Sequence, residues 1–316
     1  MGYFENDMKS TPTIALARQI PIPAQNAPFV GNVTRGSLFM GASIVFFASH
    51  ALLIKVLYVS HGVSPWQTLW FRFSVGCVVT AAVFLPRGEL KPWRVWNRRL
   101  LILRGIFGVV GTALYYYTIP LVGAGIATLL GCSYVVFSIL LAAWLLREKL
   151  TLARGIWVGI TFVGLATLTY SPESSHGPAT VWTYVFAFAG GLCAACVIVT
   201  IRKLHRTEAT PTIFWAQCAW GLLLTTPILA FVWVTPNLVG WSLLLLCGLL
   251  SALGQLFMTA GFRHLPVAIG SGFQMGLPVL ATLGGVAFLG EQLGFLQWIA
   301  AAVVVIGTWR TVSIRN

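Results

Sequence analysis

The sequence predicts an all-α polytopic membrane protein with ten transmembrane helices, arranged as two inverted five-helix repeats with both termini in the cytoplasm. Three observations lead to this prediction: the composition is strongly apolar, the chain divides into ten hydrophobic segments, and its two halves align with each other. Of the 316 residues, 58% are hydrophobic and only 9% are charged, whereas soluble domains carry roughly 25% charged residues. The composition therefore excludes a soluble enzyme.

Residues 1–35 differ from the rest of the chain and predict a flexible cytoplasmic tail. A mixed polar stretch is interrupted there by Pro12, Pro21, Pro23 and Pro28. The stretch lacks the basic start and the continuous apolar core of a signal peptide. We therefore expect no cleaved leader in this range.

Ten hydrophobic segments follow, each of about 20 residues and thus long enough to span a bilayer. They lie near 37–58, 66–85, 100–118, 122–146, 152–170, 181–202, 211–234, 240–261, 265–289 and 293–313. Several links between consecutive segments are very short, which predicts tight antiparallel hairpins.

Basic residues set the predicted orientation. The net charge is +13, from 20 Lys and Arg against 7 Asp and Glu, and such a charge by itself would suit nucleic acid. The basic residues instead cluster between segments, around 87–104, 147–154 and 202–206. The alternate loops contain no Lys or Arg: they lie near 59–65, 119–122, 171–180, 235–239 and 290–292. By the positive-inside rule both termini are cytoplasmic, and no nucleic-acid partner is expected.

Residues 105–164 align without gaps with residues 248–307, at a shift of 143 residues. The aligned pairs include Gly105 with Gly248, Gly111 with Gly254, Glu148 with Glu291, and Gly164 with Gly307. Five helices per half is an odd number, so the second half enters the membrane inverted. We therefore predict repeats at 36–170 and 181–313, the architecture of alternating-access transporters.

Several motifs recur at characteristic places in the segments: Leu103-Arg104-Gly105 through Ala113-Leu114-Tyr115-Tyr116-Tyr117, Phe71-Arg72-Phe73, Lys55, Leu277-Pro278-Val279, and the paired Glu148 and Glu291. Together they resemble the ten-helix EamA branch of the drug/metabolite transporter superfamily. The resemblance covers about residues 37–313 and implies transport of small solutes such as amino acids, nucleotide-like metabolites or vitamins. One departure is Val135, where the family often has the proline that the ninth segment keeps as Pro278. A weaker bend is expected in the fourth segment.

Ionisable groups inside a bilayer cost at least ~2.5–3.5 kcal/mol, so each needs a reason. We expect Arg72 and Lys55 to form a basic outer vestibule for a carboxylate or phosphate. The alternative is that Lys55 snorkels to headgroups and Arg72 bonds backbone carbonyls. His50 either contacts substrate or is a neutral core histidine, and Arg104 is expected to snorkel at the cytoplasmic end.

Uncharged polar residues occupy repeat-related positions in four segments. They are Thr112 and Tyr116 in the third, Thr128 in the fourth, Gln255 and Thr259 in the eighth, and Ser271 in the ninth, where Gln274 shares the face of Ser271. Pro278 follows on the face of Ser271 and Gln274, where a bend would assist gating. The pattern predicts a substrate site near the midplane, lined by the first, third, fourth, sixth, eighth and ninth segments. The alternative is ordinary hydrogen bonding between helices.

The sequence favours a secondary transporter and gives no sign of catalysis, cofactor or metal. Cys193-x-x-Cys196 lacks a second ligand pair for zinc, and no phosphate-binding loop for ATP is present. No Asp or Glu lies mid-segment, which disfavours exchange of protons for lipophilic cations. An amino acid or similar zwitterion is the favoured cargo, with export preferred on family habit. The alternatives are a nucleotide-like or vitamin metabolite, a lipid or lipid-linked flippase, and a scaffold or sensor.

The expected partners are a small-molecule substrate and membrane lipids, and the expected location is a bacterial inner membrane. Gly155, Gly159 and Gly164 form a small-residue face suited to close helix contact. This face predicts either a homodimer seam or internal packing.

Overall fold

The computed structural model describes residues 32–122, 124–147, 151–169, 181–289 and 294–314. These ranges form twelve α-helices and one π-helical turn. The helices are α1 (Val33–His61), α2 (Pro65–Phe84), α3 (Arg94–Asn97), α4 (Arg99–Val122), α5 (Ala124–Leu141), α6 (Leu152–Thr169), α7 (Val181–Leu204), α8 (Thr210–Val232), α9 (Leu238–His264), α10 (Val267–Gln274), α11 (Leu277–Leu289) and α12 (Phe295–Ser313). The π-helical turn, Ala142–Leu146, follows α5 directly.

Within the described ranges, seven helical stretches are long and apolar enough to cross a membrane. They are Val33–Tyr58, Pro65–Phe84, Arg99–Thr118, Val185–Leu204, Thr210–Val232, Leu238–His264 and Val267–Phe288. Three shorter apolar stretches lie in the predicted fourth, fifth and tenth segments: Gly131–Leu146, Leu152–Gly164 and Trp298–Thr311. The all-helical polytopic architecture is thus confirmed, and ten crossings stay a prediction.

Helix α1 begins inside the range that the sequence assigned to the tail. The Asn32 side chain accepts a hydrogen bond from the Arg35 amide at 2.9 Å and caps the helix. The helix ends at Gly62, whose φ of 62° lies in the left-handed region that favours glycine. The remainder of the predicted tail, residues 1–31, lies outside the described residues.

The fourth and ninth segments bend differently. Helix α10 ends at Gln274, and α11 begins at Leu277 with Pro278 in its first turn, where the missing proline N–H breaks no helical hydrogen bond. Helix α5 instead runs through Val135 without a break and ends in the π-helical turn. The chain leaves that turn at Arg147, whose φ is 54°.

The helices pack in pairs from opposite halves of the chain: α1 with α9, α4 with α7, α2 with α8, and α6 with α12. Small residues permit the closest approaches. Gly111 of α4 faces Gly190 of α7, and Gly254 of α9 faces the ring of Phe47 on α1. The pairs α1 with α9, α4 with α7, and α2 with α8 position the site described below.

Two polar clamps join loops to helix ends. Gln67 at the start of α2 exchanges two hydrogen bonds with the backbone of Val234, at 2.8 and 3.1 Å. Arg94 of α3 donates to both carboxylate oxygens of Glu208, at 3.0 and 2.9 Å. The Thr212 hydroxyl at the start of α8 accepts from the Lys91 amide at 3.2 Å.

Candidate functional site

A cavity of about 250 Å³ lies between α1, α2, α4, α5, α7, α8, α9 and the junction of α10 with α11. Its wall is mainly apolar and aromatic, with a few polar groups, as is typical of sites for small molecules. All six segments that the sequence predicted contribute to it, and α2 and α8 contribute as well. Six of the predicted site residues line it: His50, Arg72, Thr112, Tyr116, Gln255 and Gln274.

Arg72 brings a positive charge to this wall. One guanidinium nitrogen, Nη2, donates to Gln255 Oε1 at 3.0 Å, and the guanidinium carbon lies 5.8 Å from the centre of the Phe47 ring. Among the described lining residues, Arg72 is the one Lys, Arg, Asp or Glu side chain. A planar cation that faces a cavity without an acidic partner there is suited to bind a carboxylate or phosphate.

His50 supports the hydroxyl of Tyr116. His50 Nδ1 lies 2.9 Å from the Cys247 carbonyl oxygen, and Nε2 lies 3.2 Å from the Tyr116 hydroxyl. Because a carbonyl only accepts, Nδ1 donates to it, and Nε2 of the neutral ring accepts from Tyr116. The Tyr116 oxygen, which also interacts with the Arg72 side chain, is thereby oriented at the cavity wall.

Thr112 and Gln274 add acceptors to the cavity. The Thr112 hydroxyl donates to the Gly108 carbonyl at 2.7 Å, so its oxygen keeps lone pairs for a ligand. Gln274 Nε2 donates to Ser43 Oγ at 3.0 Å, which fixes the amide on α10 against α1. These two residues offer oxygen atoms to a donor group such as an ammonium.

Thr259 and Ser271 are fully buried and are not brought to the cavity wall. The Ser271 hydroxyl lies 2.9 Å from that of Ser138. The Thr259 carbonyl accepts from His205 Nε2 at 2.7 Å. Ser271 therefore takes part in hydrogen bonding between helices, whereas the buried Thr259 hydroxyl has no hydrogen-bond partner among the described residues.

The remaining predicted residues are Pro278, Lys55 and Thr128. Pro278 is buried in α11, one residue after Leu277, which lines the cavity. The side chains of Lys55 and Thr128 lie outside the described part of the structure, so their predicted roles stay predictions.

Sequence reasoning missed one polar residue of the cavity wall, Gln217, and assigned the wrong environment to its hydrogen-bond partner, Arg104. Gln217 lines the cavity from α8. Arg104 is fully buried and donates from Nη2 to Gln217 Oε1 at 2.8 Å, so the prediction that it snorkels is wrong. Gln217 could have been found as an amide two turns inside an apolar segment. Arg104 gave no comparable signal because it adjoins the basic loop at 87–99.

Comparison with known proteins identifies the fold and the general activity. The model of the EamA-like transporter family matches the chain twice, over residues 34–170 and 181–313. The chain belongs to the EamA-like transporter family. As a member of the EamA-like family it is an integral membrane protein that transports a small molecule.

Relatives of this EamA-like chain carry different solutes. The pseudopaline exporter CntI of Pseudomonas aeruginosa is 30% identical over 71% of this chain and 76% of its own length. The riboflavin transporter of Brucella anthropi is 26% identical over 75% of this chain and 84% of its own length. The S-adenosylmethionine uptake transporter of Rickettsia conorii is 20% identical, over 84% and 88% of the two chains.

A solved crystal structure has the same fold as this EamA-like chain. It superimposes with a TM-score of 0.75 at 22% identity, and covers 88% of this chain and 96% of the other. This likeness supports the helical architecture alone.

Proposed function

We propose that the protein is a secondary transporter that moves an amino acid or a similar zwitterion through the central cavity by alternating access, as an exporter in a bacterial inner membrane. The observation that carries this proposal is Arg72, a cation in a cavity wall whose described residues include no Asp or Glu. An anionic group on the cargo would neutralise the positive charge of Arg72 in the cavity.

The cavity also suits the other end of a zwitterion. A carboxylate on Arg72 places the rest of a small molecule among the aromatic rings of Phe47, Phe107 and Tyr115. The oxygens of Thr112 and Gln274 would accept from an ammonium group, and the ring faces attract a cation. A lipophilic cation without an anionic group would instead meet the repulsion of Arg72.

The packing supports an inverted-repeat transporter. Gly111 faces Gly190, and Gly254 faces Phe47. At the shift of 143 residues Gly111 corresponds to Gly254, and Phe47 corresponds to Gly190. The same contact is thus made twice with the halves exchanged, as two-fold-related repeats require. Such repeats can rock about a central site and open it to either side in turn.

The direction of transport is proposed from one relative. The pseudopaline relative is an exporter, whereas the S-adenosylmethionine relative is an uptake transporter. Because the exporter is 30% identical to this chain and the uptake transporter is 20% identical, we propose export. Uptake is the outcome that would correct this proposal.

A metabolite with an aromatic ring is the second candidate. Phe107, Tyr115 and Tyr134 line the cavity and could stack on a planar ring. Relatives that carry riboflavin and S-adenosylmethionine favour this candidate over a lipid cargo. The two candidates are distinguished by the pool that exchanges.

Counterflow into liposomes tests the proposal without knowledge of the driving ion. Liposomes that contain the purified protein are loaded with an unlabelled pool, and uptake of a labelled member of that pool is measured. The pools, tested in turn, are amino acids, nucleosides with vitamins, and a short-chain lipid. Exchange of the amino-acid pool is expected. Exchange of only the second pool would replace the zwitterion by the aromatic metabolite, and exchange of only the lipid would overturn both.

Two arginine variants make the test specific to the site. Arg72→Gln should depress amino-acid counterflow by about tenfold or more, since hydrogen bonds to charged groups are worth roughly 1.5–3 kcal/mol. Arg35 also lies over a phenyl ring, 5.4 Å from the centre of Phe39, but it does not line the cavity. Arg35→Gln is therefore the matched control and should transport as the wild type does. Equal rates in all three proteins would remove Arg72 from the site.

A further inference from the structure

A second arginine lies directly behind the cavity wall. Arg104 is fully buried, and its Nη2 donates to Gln217 Oε1 at 2.8 Å. Gln217 Nε2 in turn donates a hydrogen bond to the Gly108 carbonyl oxygen at 3.4 Å. Gln217 and Gly108 both line the cavity. The guanidinium group of Arg104 therefore contacts two residues of the cavity wall without lining the cavity itself.

The hydrogen-bonding capacity of Arg104 is mostly unused. Its Nε and Nη1 atoms are buried and have no hydrogen-bond partner among the described residues. A guanidinium group carries five N–H donors and is always protonated. Burying such a group without acceptors is costly, so its retention needs a reason.

The local geometry places the free side of this guanidinium against Gly108, a residue that lines the cavity. A side chain at position 108 would collide with Arg104 Nη1, so only glycine lets the guanidinium lie there. Because glycine has no side chain, only the backbone of residue 108 lies at this position beside Nη1. A ligand oxygen would reach Nη1 if the Gln217 amide rotated about its own torsions away from Arg104.

The charges around the cavity are not balanced by the described part of the protein. Arg72 and Arg104 are close enough to interact electrostatically. No described Asp or Glu lines the cavity, and the buried carboxylate of Glu208 is bound by Arg94. Two neighbouring guanidinium groups repel each other, and an anion near both would relieve that repulsion.

We propose that Arg104 and Gln217 form a second anion-binding subsite, so that the preferred cargo is a zwitterion with two anionic groups, one bound at Arg72 and one at Arg104. This inference rests on the proposed function and narrows it from zwitterions in general to acidic ones. A cargo with one carboxylate leaves one guanidinium uncompensated, whereas a dicarboxylate pairs with both through charge-assisted hydrogen bonds.

Glutamate and glutamine are the probes, because they match in size and differ by one anionic group. Counterflow of labelled glutamate and labelled glutamine is measured separately in liposomes with the wild-type protein. The expected result is a preference for glutamate of about tenfold or more in kcat/KM, the worth of a hydrogen bond to a charged group. Equal rates for the two would overturn the second subsite and leave the zwitterion transporter intact. Exchange of neither by folded protein would overturn the proposed function itself.

Two variants ask whether Arg104 causes the preference. Arg104→Gln removes the charge, and Gln217→Glu supplies a carboxylate of nearly the same shape that pairs with Arg104 in place. Both should bring the ratio of glutamate to glutamine close to one. The second variant retains the buried arginine and adds an ion pair, so it keeps the test valid if Arg104→Gln fails to fold.

Arg154 provides the matched control. It is also a buried arginine, with Nη2 donating to the Ile314 carbonyl at 2.7 Å, and it does not line the cavity. Arg154→Gln should lower the melting temperature and leave the glutamate-to-glutamine ratio unchanged. If Gln217→Glu or Arg104→Gln likewise lowers stability and leaves the ratio at its wild-type value, Arg104 is structural and the proposal is wrong.

Discussion

Gly164 and Gly307 lie on two helices that pack together, and each glycine contacts a side chain of the other glycine's helix. Val304 of α12 packs on Gly164 of α6, and Thr161 of α6 packs on Gly307 of α12. At the shift of 143 residues Gly164 corresponds to Gly307 and Thr161 to Val304. Exchanging the two halves therefore turns the contact of Val304 with Gly164 into the contact of Thr161 with Gly307. This is expected where the two-fold axis that relates the halves passes between α6 and α12. It supports the inverted repeats that we propose.

Gly307→Ala is expected to destabilise the protein by about 1–3 kcal/mol, the usual cost of overpacking. The added methyl group would overlap the Thr161 side chain. Thr161 cannot easily move aside, because it is branched at Cβ and its hydroxyl donates to the Trp157 carbonyl at 2.8 Å. Thermal unfolding in detergent measures the loss.

Gly159→Ala, on the partner helix α6, is the matched control. No atom lies within 4 Å of the position that its methyl group would take. Alanine has the higher helix propensity, so this variant should be neutral or slightly more stable. A Gly307→Ala protein as stable as Gly159→Ala would contradict the close packing of α6 on α12.

The predicted orientation can be tested at the two ends of α8. Thr207 and Thr235 are both exposed, and they lie on either side of this helix. In a cysteine-free background, Thr235→Cys should react with an impermeant maleimide in intact cells, and Thr207→Cys should react only after lysis. The reverse pattern would place the termini outside.

His205 should make stability depend on pH. The pKa of His205 is lowered to about 4, mainly because the imidazole is buried. The hydrogen bond to the Thr259 carbonyl raises the pKa, and the nearby Arg263, Arg202 and His264 lower it. Between pH 4 and about 6.5 the unfolded chain binds the proton and the folded protein does not, so stability rises with pH over that window.

The expected loss from pH 7 to pH 4.5 is on the order of 1–3 kcal/mol. His205→Gln keeps an N–H donor for the Thr259 carbonyl and does not titrate. Melting curves across this pH range should therefore show a shallower slope for the variant. Identical slopes would mean that His205 takes up its proton without cost in the folded protein.

Sequence reasoning located most of the helices and six of the residues that line the cavity. Apolar runs of about 20 residues have few alternatives to a spanning helix, and intramembrane Arg72, His50 and Gln255 are costly enough to mark a site. Repeat alignment paired Gly111 with Gly254 because helices in close contact need small residues at the crossing point. These inferences depend on composition and spacing alone.

The pairing of side chains could not be predicted in the same way. Arg104 and Gln217 are 113 positions apart, and their hydrogen bond depends on the rotation of α4 and α8 about their axes. The same rotation directs Ser271 to Ser138 and keeps it from the cavity. A few tens of degrees separate a lining residue from a packing residue, and the polarity pattern does not contain that angle.

The hydrogen bond from Arg72 to Gln255 provides the sharpest test of the proposed cargo chemistry. Gln255→Glu replaces the acceptor, now 3.0 Å from Arg72 Nη2, by a carboxylate of the same shape. The resulting ion pair would occupy the guanidinium that the cargo needs. We expect the KM for an anionic or zwitterionic amino acid to rise by about tenfold, with the melting temperature kept or raised.

Gln255→Met separates this effect from simple disturbance of the wall. Methionine fills a similar volume but accepts almost no hydrogen bond from Arg72, so the guanidinium stays available to the cargo. Its KM should stay near the wild-type value or fall below it, whereas Gln255→Glu should raise KM. If both raise KM equally, residue 255 contacts the cargo directly and does not act through Arg72. If Gln255→Glu leaves KM unchanged, Arg72 does not bind the anionic group, since a guanidinium already paired with a carboxylate could not serve both partners equally well.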